Sequence, residues 1–260
     1  MIPISGLSTN VALKLVDATR DKQIEVLNTA PEHARGSSEF RERIAGIETV
    51  KQLIDDRDLY DFVMKAFGLE DQIFGMALVR KILESDAEDR NSLVNRLRDP
   101  RFGEMFEVMG FDAKGVGNTN VVDPAWREQM VDRYLEAQFI GDQAEQNSNV
   151  GIVLEFRRKA ATIEKPLDFL KDKGMAKFIR RALGLPEEIA QANIDRQADL
   201  IASRLDITKL GDPKEVDKLV RKFVALSDAF DSQQLMQSAT VQMMRSAANM
   251  RGYPAPVALD

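Results

Sequence analysis

Leu59-Tyr-Asp-Phe-Val-Met-Lys-Ala-Phe-Gly-Leu-Glu-Asp71 is the stretch on which the fold turns. Leu59, Phe62, Val63, Ala66 and Phe67 recur at intervals of three and four, the spacing that gathers apolar side chains on one face of a helix. The run stops at Gly68, the residue that takes a left-handed C′ conformation at least cost, and Leu69 stands where a Schellman turn places its apolar contact. Glu70 and Asp71 follow, acids suited to the positive end of a new helix, which the pattern predicts to continue through Ile73, Ala77, Leu78, Lys81 and Ile82.

The same grammar extends in both directions. Asp99-Pro100, Asp123-Pro124 and Asp212-Pro213 each put an acceptor at the N-cap and a residue without a donor at the first helical position, so each predicts a helix start, the third reinforced by Glu215. Helices are also predicted over about Thr9 to Leu27 and from Pro124 to about Gln146, the latter carrying Trp126, Met130, Tyr134 and Phe139. Sustained alternation of β-branched residues is absent, which makes the chain all-α and multihelical. Gly110 to Thr119 holds three glycines without periodicity and reads as the longest loop, dividing the chain in two, and Tyr253 to Asp260 reads as a tail.

The two halves resemble each other. When each residue from Glu39 to Ile73 is paired with the residue 116 further on, twelve of the 35 pairs are identical, among them Phe40/Phe156, Asp56/Asp172, Phe62/Phe178, Gly68/Gly184 and Leu69/Leu185. Average composition would give roughly two. After a three-residue slip, Leu97, Asp99 and Pro100 fall on Leu210, Asp212 and Pro213. The expected product is an internally duplicated, two-lobed helical body with pseudo-twofold character. Its parts are a first module over 1–123 with the N-terminal helix and loop, a second over 124–231, and a C-terminal helix and tail over 232–260, either as separate units or as one continuous domain.

Composition bounds the chemistry. The 260 residues hold no cysteine, which removes disulfides, thiolate nucleophiles and cysteine-ligated metals. A net charge of −6 disfavours phosphate backbones, so nucleic acid is not an expected partner. The first residues, Met1-Ile-Pro-Ile-Ser-Gly6, lack the features of a secretory signal, and no run is long enough to cross a bilayer. The expectation is a soluble chain, cytoplasmic or exported without a cleavable signal. The one histidine, His33, lies in a loop-like Pro-Glu-His-Ala context and reads as solvated. The acidic run Glu84 to Asp89 lacks the central glycine and terminal glutamate of a calcium loop and reads as an inter-helix connection. Arg157-Arg-Lys159 and Arg180-Arg181 read as salt-paired helix surfaces. No catalytic, cofactor-binding or metal-ligating set emerges, and the chain is expected to be no enzyme.

One segment supports a binding role. From Leu235 to Met250 the chain reads as a helix with Met236, Met243 and Met250 seven apart and the small residues Ala239 and Ser246 between them, a heptad-spaced, adaptable thioether surface suited to a protein partner. The bland alternative is that this helix docks on its own half.

The Leu59 to Asp71 stretch, followed by Val79 to Asp86, Asn95-Arg-Leu97 and Asp99-Pro-Arg-Phe102, resembles the bacterial domain-of-unknown-function family 1217. Phe156-Arg-Arg158, Ala182 to Pro186, Asp195-Arg-Gln197 and Asp206-Ile207 extend the resemblance through the second half. The resemblance implies a role in flagellar assembly or motility, with a flagellar component as the partner, and implies no catalytic or ligand residue. The expectation from a different class is an enzyme or small-ligand binder using the cleft between the two lobes.

Overall fold

Residues 1–97, 99–118, 120–237 and 243 are described by the computed structural model, with side chains through 233 and at 243. Among these residues thirteen α-helices are joined by short turns, several of them 3-10, and no strand occurs beyond an isolated bridge between Thr49 and Val116. The first half carries α1 (Thr9–Thr29), α2 (Pro31–Arg43), α3 (Val50–Asp55), α4 (Arg57–Ala66), α5 (Met76–Leu83), α6 (Leu93–Arg96) and α7 (Pro100–Met109). The second carries α8 (Pro124–Gln146), α9 (Ser148–Lys159), α10 (Pro166–Leu170), α11 (Lys173–Ala182), α12 (Ile194–Ala202) and α13 (Pro213–Gln237). The chain is all-α.

Local chemistry sets the ends of these helices. The carboxylates of Asp99, Asp123 and Asp212 accept from the backbone N–H groups of Arg101, Ala125 and Lys214 at 3.0, 2.9 and 2.9 Å, and a proline follows each. Helix α4 ends in a Schellman turn, with the Leu69 N–H donating to the Met64 carbonyl at 2.8 Å and Gly68 at φ 64°. Helix α11 closes in the same way through Leu185 and Gly184.

The segment after Gly68 departs from expectation. Glu70–Gln72 is a 3-10 turn, and α5 starts afresh at Met76 with Gly75 as its N-cap, leaving Phe74 exposed. Neither acid caps the turn through its side chain; the Ile73 and Gly75 N–H groups donate to the Glu70 and Gln72 carbonyls at 3.3 and 2.8 Å, three-residue bonds that close 3-10 turns and leave no continuous α-helix. The segment after Gly184 behaves likewise, with a 3-10 turn at Glu187–Gln191 and α12 beginning beyond Asn193.

Shifted by 116 residues, α4 falls on α11 at both ends, and the 3-10 turn Ile44–Gly46 falls on Ala160–Thr162. The buried aromatic groups match as well. Phe40 of α2 stacks on Phe62 of α4 with centroids 4.4 Å apart, and Phe156 of α9 stacks on Phe178 of α11 at 3.9 Å. A third ring packs on each pair: Tyr134 of α8 stacks 4.3 Å from Phe62, and Phe223 of α13 lies tilted 4.9 Å from Phe178. Helix α8 therefore closes the first half as α13 closes the second. The buried apolar residues, from Ile4 to Val224, form one continuous cluster through both halves.

His33 is placed differently from its sequence expectation. It lies on α2, half-buried, with Nδ1 2.7 Å from the Tyr134 hydroxyl. Pro31 starts α2 immediately after α1, so the apparent loop is a helix N-terminus whose next turn faces α8.

Candidate functional site

Helix α13 first belongs to the core and then leaves it. Leu219, Val220, Phe223, Val224 and Ser227 are buried, whereas Phe230 is 40% exposed and Asp231, Ser232 and Gln233 are exposed. The helix continues without a break through residue 232, where the sequence reading begins a separate segment, to Gln237. Met236 falls in its last turn; Met243 is helical and 72% exposed; Met250 lies outside the described residues.

The turn of α13 that leaves the core is tied to the beginning of the chain. The backbone N–H groups of Thr9 and Asn10, unpaired within α1, donate to the Asp228 carboxylate at 2.6 and 3.1 Å. Asn149 of α9 donates to Asp231 at 3.0 Å and to the Thr9 hydroxyl at 3.3 Å, and accepts from Lys177 of α11 at 3.0 Å. These polar contacts fix the direction in which α13 departs. Nothing local in the sequence signals them, because the partners lie as many as 219 residues apart.

A second feature is a cavity of about 660 Å³ where α1 and α7 of the first half meet α8 and α9 of the second. Trp126, Met130 and Leu154 form apolar wall, and four arginines converge on it. Each arginine is engaged: Arg20 with Glu136, Arg133 with Glu104 at 2.6 Å, Arg157 with Asp17 at 2.7 Å and Arg158 with Glu155 at 2.8 Å. Arg157-Arg-Lys159 thus forms the salt-paired surface anticipated, although Arg157 reaches across to α1. Burial disfavours charge on Glu155, but its hydrogen bonds and attraction to Arg158 and Lys159 prevail and bring the carboxyl down to about 2. A ligand entering here meets guanidinium groups already neutralised. Among the described residues no three histidine or acidic side chains converge as a metal centre requires.

These features define a multihelical all-α protein whose helix α13 leaves the core at its end and whose halves meet at a charge-laced cleft. The chain belongs to the DUF1217 family: a family model described as protein of unknown function matches residues 66–216, more than half its length. A crystal structure of a protein from Agrobacterium tumefaciens is similar over 87% of this chain and 95% of that one, at 30% sequence identity and a TM-score of 0.75. No curated protein matches. Among the described residues no helix is long and apolar enough to cross a membrane.

Proposed function

We propose that this chain is a non-enzymatic interaction protein of the flagellar system, acting in assembly or motility from the cytoplasm or after export, and that it engages a protein partner through the end of α13. The observation that carries the reading is the departure of α13 from the core. From Ser227, fully buried, the helix runs ten further residues to Gln237, roughly 15 Å at helical rise, and the exposed Met243 follows. A helix extended past its own core, with methionines at heptad spacing, is a surface that a second helix covers. The family resemblance supplies the flagellar context.

A photo-crosslinking residue at position 243, introduced in intact cells, tests the reading. Capture of a flagellar component and defective swimming in a deletion strain are the expected results. Normal flagella in the deletion strain together with no flagellar cross-link would overturn it.

The cleft supports a second reading, a small-ligand binder or enzyme, because its volume lies within the range of small-molecule sites. Substituting Arg133→Leu at its wall would then abolish binding of a ligand recovered with the native chain, whereas a purely structural cleft would yield no ligand and show only altered stability.

A further inference from the structure

A second cavity, about 620 Å³, opens beside α11 and is lined by residues of the second half, and its charge is one-sided. Lys173, Lys177, Arg180 and Arg181 line it from α11, at spacings that place them on one face, against a single lining carboxylate, Glu187. In a chain of net charge −6 this is a local reversal of sign. The cations share little neutralisation. Arg181 donates to Glu187 and to the Ser227 hydroxyl, both at 3.2 Å, and lies over the Phe230 ring at 4.9 Å. Arg180 comes no nearer than 3.9 Å to Glu187, and its buried Nε finds no hydrogen-bond partner among the described residues. A buried guanidinium donor left without an acceptor costs stability unless something supplies one. Burial, with Arg181 adding to it, holds the Lys177 ammonium below its ordinary value against the pull of Asp231 and Glu187.

The first half shows what differs. The residues 116 positions earlier are Arg57, Asp61, Met64 and Lys65, with Asp71 in the place of Glu187: two cations against two acids, and Met64 fully buried where Arg180 stands. Lys177 and Arg180 therefore have no basic counterpart at the matching positions of the first half. The rim of the groove is apolar, with Ile194 52% and Phe230 40% exposed.

We infer that this groove is a docking site for an acidic amphipathic segment of a partner protein, with carboxylates meeting Arg180, Lys177 and Lys173 and an apolar side chain covering Ile194 and Phe230. The charge of the groove selects the acids, and its apolar rim distinguishes a peptide from a bare phosphate. Residues 238–260 of this chain carry Arg245 and Arg251 against Asp260, so their charge does not complement the groove. The inference rests on the interaction reading above and adds the chemistry of the partner.

Display of random 15-residue peptides on the immobilised full-length chain tests it. Enriched peptides are expected to carry Asp or Glu at intervals of three or four with an apolar residue between. The best synthetic peptide, followed by fluorescence anisotropy, should bind Arg180→Met at least tenfold more weakly. That variant installs the residue present at Met64. Lys173→Glu, at an exposed position, provides the same test should Arg180→Met fail to fold. Enrichment without acidic bias, equal affinity for both variants, or displacement of the peptide by micromolar oligothymidylate or inorganic phosphate would overturn the inference. If Lys173→Glu leaves the cross-links from position 243 unchanged in cells, the groove fails while the interaction reading stands. If the peptide binds as expected in a strain background that swims normally without the chain, the flagellar reading fails while the groove stands.

Discussion

At the scale of single residues, Gly151 shows how one position determines the approach of two helices. A Cβ built on it would lie 2.3 Å from the Ala144 Cβ and 2.7 Å from the Ala144 Cα, so α8 and α9 meet where a side chain cannot fit. Gly151→Ala is expected to destabilise the chain by about 2 kcal/mol through overpacking, read as a lower urea midpoint at unchanged m value. Glu155 has a pH signature. Its folded carboxyl sits near 2, below its ordinary value of 4.5, so the stability it contributes is present above pH 4.5 and disappears as pH falls through about 2. Glu155→Gln should lower stability at pH 7 by on the order of 2 kcal/mol and flatten the acid limb of the stability curve between pH 5 and pH 2. The pairing of Glu155 with Arg158 and Lys159 is legible in their helical spacing, but its burial and the contact of Gly151 are not. Gly151 stands in an ordinary helical pattern, and nothing in the spacing of Glu155 tells that its side chain is withdrawn from solvent.

At the scale of elements, the helix ends were legible and their partners were not. Asp-Pro and Gly-Leu pairs act within one turn of the backbone, so Asp99, Asp123, Asp212, Gly68 and Gly184 could be assigned from spacing alone, and each stands where its spacing places it. The start of α1 is different: Ser8 caps Val11 weakly at 3.4 Å, and the better acceptor is Asp228, from the far end of the chain. Asp228→Ala should cost about 1 kcal/mol, the usual worth of an N-cap acceptor. Hydrogen exchange at the amides of Thr9 and Asn10 should accelerate while the core of α8 is unchanged. The split of the expected helix after Gly68 belongs to this scale too, and it recurs after Gly184 with Gln191 in the place of Gly75, so three-residue hydrogen bonding rather than the glycine alone sets it.

At the scale of the molecule, the two halves share one apolar cluster, and the first is closed by a helix of the second. Tyr134 of α8 completes the stack on Phe62, and Arg133 lies over Phe67 at 4.8 Å. A fragment of residues 1–123 should therefore bind a hydrophobic dye and show poorly dispersed amide resonances, whereas residues 1–147, which include α8, should recover ordered structure. The full chain should unfold in a single transition by circular dichroism and fluorescence alike.

The amino-acid order by itself determined that the chain is helical, where most helices begin and end, and that Phe62 lies on the apolar face of its helix. Periodicity, caps and left-handed glycines exert their effect within a few residues. Only the tertiary structure decided that α8 closes the half before it, that Asp228 caps α1, and that the four α11 cations line one groove with Glu187 as its single lining carboxylate. Those outcomes depend on which side chains the whole path of the backbone brings together, and sequence spacing carries no record of that path.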